Sequence, residues 1–157
     1  MYPPKALVIE ALANSAKEAL TSAEKAQSIA ADEATSDESK SEGKYDTRAT
    51  EASYLARGQA ERVAELRSLV AWYGRLNPEA GLQAVALGAL VALEGDISQL
   101  LFVCPVGGAH VEVEGAKVKT ISLSAPLGQA LKGLSEGDEA LLKSPGGLRE
   151  LEVVHVR

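Results

Sequence analysis

Few side chains in this sequence of 157 residues could do nucleophilic or metal chemistry. It has one cysteine, Cys104, and two histidines, His110 and His155, which lie far apart along the chain. A tetrahedral zinc site is usually built from four nitrogen or sulfur ligands, and these three residues are too few. A cysteine nucleophile needs a neighbouring base, and the residues around Cys104 suggest none. We therefore interpret Cys104 as a buried strand residue.

Carboxylates are the other group that could do chemistry. They cluster among serines between residues 32 and 42. Serine, aspartate and glycine bond to nearby backbone groups and favour turns over helix interiors. Taken alone, the pattern predicts a solvated loop, which we call the tip and place at residues 35–43. The clustered carboxylates are Asp32, Glu33, Asp37, Glu38 and Glu42.

Heptad patterns on both sides of the tip predict two helices that position it. Small and apolar residues alternate gaps of three and four, which keeps one stripe of each helix facing a partner. Two such helices joined by a short polar link indicate an antiparallel coiled-coil hairpin. The seam of the first helix is Ile9, Leu12, Ala16, Ala19, Ala23, Ala26 and Ala30, and that of the second is Ala49, Ala52, Ala56, Gln59, Val63, Leu66, Val70 and Tyr73.

Breaking residues set the expected ends of the hairpin, which we assign to residues 1–77. Proline suits a first helical position, so the first helix should begin at Pro3-Pro4 and run to about Ala31 or Glu33. The second helix should begin within Lys44–Thr47 and end near Arg75, because an asparagine-proline pair and a glycine follow.

The pattern changes after residue 78 and predicts a second domain over residues 78–157. Apolar runs and period-two alternation there are typical of strands. A short amphipathic helix is expected within Ala125–Leu134, and Pro145-Gly146-Gly147 predicts a hairpin turn. The fold class is therefore α+β, with a small antiparallel sheet and one short helix after the coiled coil. The expected strand segments are Val85–Glu94, Leu100–Val106, His110–Glu114, Val118–Leu123, Ala140–Lys143 and Leu148–Val156.

Composition narrows the classes of function. The formal net charge of −6 argues against a basic face that grips nucleic acid. A single cysteine fits a reducing compartment. The N-terminus lacks the apolar stretch of a signal peptide, and no apolar run of about 18 residues could span a membrane. We expect a soluble, cytoplasmic protein without sequence-specific nucleic-acid binding.

Motifs in both halves of the sequence resemble those of the bacterial Gre transcript-cleavage factors. In the last third, a serine-proline helix start, a glycine-aspartate turn and a proline-glycine hairpin recur at the family's spacing. In the first half, Ser41-Glu42-Gly43-Lys44-Tyr45 is similar to the family's tip sequence, and Ala64-Glu65-Leu66-Arg67 matches a run late in its second helix. The C-terminal motifs are Ser124-Ala125-Pro126-Leu127-Gly128, Ala130-Leu131, Gly133, Gly137-Asp138 and Pro145-Gly146-Gly147.

The resemblance implies an FKBP-like C-terminal domain that docks on RNA polymerase and a coiled coil that enters the polymerase's secondary channel. It implies no catalysis in isolation and no resident cofactor. An aspartate and a glutamate at the family's tip help to hold a second Mg²⁺ in the polymerase active site, where oxygen ligands suit that ion. The residues that the resemblance assigns to docking are Ser124, Pro126, Gly128, Gly137 and Asp138.

The tip departs from the family pattern at one position. Glu42 matches the family glutamate, but Ser39 stands where the tip aspartate should be, and a serine is a weaker magnesium ligand than a carboxylate. Asp37 and Glu38 lie just upstream. The shared Mg²⁺ in the polymerase complex would therefore be held through Glu42 together with Asp37 or Glu38.

Three functions follow as hypotheses. The first is a Gre-like elongation factor that rescues backtracked polymerase by stimulating transcript cleavage. The second is a channel-binding inhibitor or regulator without cleavage. The third is a coiled-coil interaction module unrelated to polymerase, which would expose a second apolar stripe. The candidates for that stripe are Leu7, Val8, Leu20, Leu55 and Leu69.

Overall fold

The computed structural model describes residues 1–40 and 47–157, with the backbone alone for residues 36–40. The described chain divides into two compact units. One contains residues 13–74, and the other combines residues 1–12 with residues 75–157. The division into residues 1–77 and 78–157 stays a prediction drawn from the sequence.

The first helix, α1 (Lys5–Lys40), begins where the sequence predicts. The backbone N–H groups of Leu7 and Val8 donate to the carbonyl oxygen of Pro4 over 3.0 and 3.2 Å. Its predicted end at Ala31 or Glu33 is wrong, because the helix continues to Lys40. A threonine inside a helix can donate its hydroxyl to the carbonyl oxygen four residues earlier. Thr35 does this by donating its hydroxyl to the carbonyl oxygen of Ala31 over 3.0 Å.

The second helix, α2 (Thr47–Arg75), ends where the sequence predicts, and Thr47, the last residue of the predicted start, is helical. No predicted seam position in α1 or α2 is exposed, so the heptad reading of both helices is confirmed. The core of the unit formed by residues 13–74 contains Ala23, Val63 and Leu66, with Leu20 and Leu69 packed beside them. Leu20 and Leu69 therefore widen the buried face of the hairpin rather than forming a separate exposed stripe.

The C-terminal domain is a six-stranded sheet with one short helix, α3 (Pro126–Leu131). Its strand order is β3-β4-β2-β1-β6-β5. The predicted fold class is confirmed, with one difference in the sheet. The strands β2 and β4 pair in parallel, because β3 and β4 form a hairpin in which β3 takes the outer edge. The strands are β1 (Leu90–Gly95), β2 (Gln99–Val103), β3 (His110–Val113), β4 (Ala116–Ile121), β5 (Glu139–Ser144) and β6 (Gly147–Val156).

One face of the sheet packs with α3 into the main core of this domain. The core takes alternate residues from the central strands, as period-two patterning requires, together with Leu131 from α3. The opposite face is also buried on the central strands, where Leu90, Phe102 and Val118 are almost inaccessible. At the β5–β6 end that opposite face is open to solvent, and residues such as Leu141 and Leu148 lie exposed there.

Candidate functional site

The described structure covers only part of the predicted tip. Asp37 and Glu38 lie in the last turn of α1, so a helical backbone sets their positions rather than a loop. Ser39 belongs to the same turn. Glu42 lies outside the described residues. The assignment of these residues to a shared Mg²⁺ stays a prediction.

The segment from the end of β4 through α3 holds three of the predicted docking residues. Ser124 is exposed, and its hydroxyl oxygen lies 2.9 Å from that of Ser122. Pro126 is exposed and is the first residue of α3, where its fixed φ angle and missing N–H suit a helix start. Gly128 is buried, and a Cβ atom there would overlap the carbonyl oxygen of Ser122. The requirements of the fold thus account for a proline at position 126 and a glycine at position 128.

Gly137 and Asp138 build the turn before β5. Gly137 has a φ angle of +88°, and its N–H donates to the carbonyl oxygen of Val153 over 2.7 Å. The Asp138 carboxylate accepts a 2.7 Å bond from the backbone N–H of Ser135. The Asp138 carbonyl oxygen accepts the N–H of Val153 over 2.9 Å. Both residues therefore stabilise the turn, and their docking role stays a prediction.

The cysteine and the histidines lie apart in the structure. Cys104 is buried, as predicted, but it lies directly after β2 and not within the strand. Its thiol lies 2.8 Å from the carbonyl oxygen of Val106. His110 is exposed on β3, whereas the Nδ1 atom of His155 lies 2.9 Å from a carboxylate oxygen of Glu136. Within residues 1–40 and 47–157, no group of three or more histidine, cysteine or acidic side chains is arranged to hold a metal ion.

Lys5 is a buried charged residue that the sequence reading missed. Its side chain is only 4% exposed, and its ammonium group donates to the carbonyl oxygen of Ala80 over 3.0 Å. Burial, together with the nearby positive charge of Arg157, lowers the pKa of Lys5 from its ordinary value of 10.5. Nothing in the sequence distinguishes this lysine from a solvated one.

Another feature missed from sequence is an aromatic pair that joins the chain's two ends. The ring of Tyr2 stacks on that of His155 with centroids 4.9 Å apart. Glu136 holds His155 and also accepts a 2.9 Å bond from the backbone N–H of Val156. This cluster fixes the N-terminal residues to β6.

Among the described residues of the hairpin unit, Tyr54 is an exposed aromatic residue. Tyr54 is 66% exposed, and the guanidinium carbon of Arg57 lies 5.8 Å from its ring centroid. These two side chains line a shallow depression on α2 together with Ala49, Thr50 and Ser53. In the part of the chain that is described, no helix is long and apolar enough to cross a bilayer.

Comparison with known proteins assigns the C-terminal part of the chain. Residues 104–157 match the family model described as transcription elongation factor, GreA/GreB, C-term. A curated transcription elongation factor GreA from Halorhodospira halophila is 39% identical over 74 residues, which is 46% of this chain and 45% of that protein. The GreA of Ralstonia nicotianae is 36% identical over 100 residues, or 61% of each chain. The matches thus span about half of the relatives' length.

Two of the solved structures to which the chain is similar are a GreA factor homolog and a GreA/GreB factor. The GreA factor homolog 1 (Gfh1) of Thermus thermophilus is 22% identical, and the match covers 92% of this chain and 94% of that one at a TM-score of 0.39. A GreA/GreB factor from Nitrosomonas europaea is 27% identical over 58% of this chain and 78% of that one, at a TM-score of 0.34. At these TM-scores the likeness carries no argument.

Fold and sequence together define a class: a helical-hairpin protein with a mixed-sheet C-terminal domain. Within that class, residues 104–157 match the GreA/GreB C-terminal family model, and the resemblance to the Gre family is confirmed.

Proposed function

We propose that this protein is a Gre-like transcription elongation factor that binds RNA polymerase and inserts its helical hairpin through the secondary channel. The observation that carries the proposal is the match of residues 104–157 to the GreA/GreB C-terminal domain. The long helices α1 and α2 ahead of that domain support it, since a hairpin of this kind can reach a recessed site. The protein would act in the cytoplasm as an accessory factor, without catalysis of its own.

In this proposal the polymerase performs the chemistry and the tip supplies ligands. Glu42 would provide one carboxylate, and Asp37 or Glu38 another. A Mg²⁺ ion shared with the polymerase would supply Lewis-acid stabilisation of the charge that develops during phosphodiester hydrolysis. The part of this chain is then to deliver oxygen ligands to the polymerase active site.

The test is RNA cleavage in a stalled, backtracked elongation complex of the cognate polymerase. Faster release of short 3′ fragments in the presence of the protein is the expected result. An unchanged cleavage rate, combined with displacement of a known cleavage factor, would instead establish a channel-binding regulator. If the protein shows neither effect, the assignment moves to an interaction module without a polymerase role.

The regulator without cleavage is the second candidate, and one residue favours it. Ser39 stands where the family's tip aspartate should be. A tip with one well-placed carboxylate would hold a shared metal ion weakly, because Mg²⁺ binds through carboxylate oxygens in a demanding octahedral geometry. Such a protein would occupy the channel and compete for it without accelerating hydrolysis.

A further inference from the structure

The open end of the sheet carries a patch that the fold leaves uncovered. Side chains of paired residues on neighbouring strands lie on the same face, and successive residues alternate between faces. The register pairs Leu141 with Glu150 and Lys143 with Leu148, so these four side chains share a face. We call the patch the β5–β6 face, and all of its residues are exposed: Glu94, Glu139, Leu141, Lys143, Leu148, Glu150 and Glu152.

Two leucines give this face an apolar centre. Leu141 is 62% exposed and Leu148 is 64% exposed. They lie diagonally across the β5–β6 pair, within reach of one another. The strand β5 is also an edge strand of the sheet. Exposed apolar residues on an edge strand invite association, so natural proteins usually cover or charge such edges.

A row of three glutamates crosses the same face. Glu152 on β6 pairs directly with Glu94 on β1 and with Glu139 on β5. Like charges placed directly opposite each other destabilise a sheet. The ion pairs seen among the described residues include Arg62–Glu65 and Arg67–Glu24, and neither involves a glutamate of this row.

The glutamate row borders a shallow depression. Gly95 follows Glu94 at the end of β1, where a Cβ atom would overlap the carbonyl oxygen of Glu150. The two strands therefore approach each other closely there, beside the open space of the depression. Glutamates surround that space, and the lining is Glu94, Gly95, Glu139, Glu150, Leu151 and Glu152.

These features select the chemistry of the partner. Nucleic acid and anionic lipid would be repelled by the glutamate row, and a second copy of this chain carries the same net charge of −6. A protein segment with lysine or arginine side chains fits, because their aliphatic stems can cover leucines while their charged ends reach carboxylates. The partner's positive charge would relieve the repulsion between the three glutamates.

We propose that the β5–β6 face docks a basic and partly apolar protein segment of RNA polymerase. This surface is separate from the predicted docking residues Ser124 and Pro126, which precede and begin α3. The inference rests on the proposed function, because it takes the polymerase as the partner. The glutamates of this face would contribute a charge-dependent part of the affinity for polymerase, and its leucines would contribute an apolar part.

The test measures the dissociation constant of the full-length protein and the cognate polymerase at low and high ionic strength. The double variant Glu139→Gln/Glu152→Gln should bind roughly tenfold more weakly at low ionic strength, with a smaller loss at high ionic strength where charges are screened. Leu141→Ser/Leu148→Ser should weaken binding at both. The control Glu10→Gln/Glu79→Gln removes the same charge from exposed positions elsewhere and should bind like the parent.

Thermal unfolding separates binding from folding. The glutamine pair should melt at or above the temperature of the parent, because it removes like-charge repulsion. A lower melting temperature would contradict the repulsion on which the inference rests. Suppose that the parent binds polymerase. If both face variants then bind it as tightly as the parent, or if the control loses as much affinity as the glutamine pair, the inference is overturned while the proposed function stands. If the parent does not bind polymerase, both fail.

Discussion

Gly128 occupies a position without room for a side chain. We expect Gly128→Ala to lower the free energy of unfolding by about 1–3 kcal/mol, because the new methyl group would overlap the rigid Ser122 backbone rather than a movable side chain. Chemical denaturation measures this change. The matched control is Gly58→Ala, at an exposed position inside α2 with open space around it. That variant should gain about 0.5–1 kcal/mol, since alanine favours a helix interior over glycine.

Lys5 should give the protein's stability a dependence on alkaline pH. Its pKa is lowered in the folded state by burial and by Arg157, so the folded protein binds the proton less tightly than the unfolded chain. The unfavourable contribution of the buried charge is therefore fully present below the folded pKa. It disappears as pH rises from the folded pKa towards the unfolded value of 10.5.

The comparison with Lys5→Met makes this dependence measurable. Unfolding of both proteins is followed between neutral pH and pH about 10.5, the upper end being the ordinary lysine pKa. The parent should gain stability relative to the variant as pH rises. Loss of the bond to Ala80 changes the offset between the two curves but not the slope of their difference. A constant difference would show that the burial of Lys5 has no influence on its protonation.

Among the helices, the tight seam around Ala23 should not accept a large side chain. Ala23 is buried beside Val63 and Leu66. We expect Ala23→Trp to destabilise the hairpin by at least about 1–3 kcal/mol through overpacking. Circular dichroism during thermal unfolding reports the loss. Ala31→Trp adds the same bulk at an exposed position of α1 and should melt close to the parent. Equal melting of both variants would contradict the seam position of Ala23.

The elements were largely predictable because their patterns are local. Alternation marks the strands, and gaps of three and four mark the helices, whatever their final neighbours are. The end of α1 was not predictable in this way, because Thr35 and the following polar residues favour turns in isolation yet remain helical here. The parallel pairing of β2 and β4 was missed for a related reason. The parallel pairing depends on which strand takes the sheet edge, and local hydrophobic patterning does not determine strand order.

The candidate site was less predictable than the elements. Motif spacing pointed to the segment around Ser124–Gly128, but it could not separate residues that build the fold from residues that would face a partner. Gly128 and Asp138 have internal partners that only the tertiary structure reveals. The stacking of Tyr2 on His155 joins residues from opposite ends of the sequence, which no local pattern encodes.

For the molecule as a whole, the sharpest prediction concerns Glu42. If the tip delivers a metal ligand to the polymerase, Glu42→Ala should reduce cleavage stimulation by more than about tenfold, because one carboxylate ligand is lost. Polymerase affinity should change little, since docking is assigned to the sheet domain. The assay pairs cleavage in a backtracked complex with a direct binding measurement. Glu33→Ala, at an exposed position on α1, is the control and should cleave like the parent. Equal cleavage by the Glu42 variant would remove this residue from the metal site.

The combination of residues 1–12 with residues 75–157 in one compact unit has a consequence for biosynthesis. A ribosome releases Tyr2 and Lys5 before it releases their contacts, Ala80 and His155. The hairpin is in effect an insertion within the sheet domain, so that domain can be completed only when the final strand has left the exit tunnel. In nascent chains, Tyr2 and Lys5 should therefore become protected only after β6 has emerged.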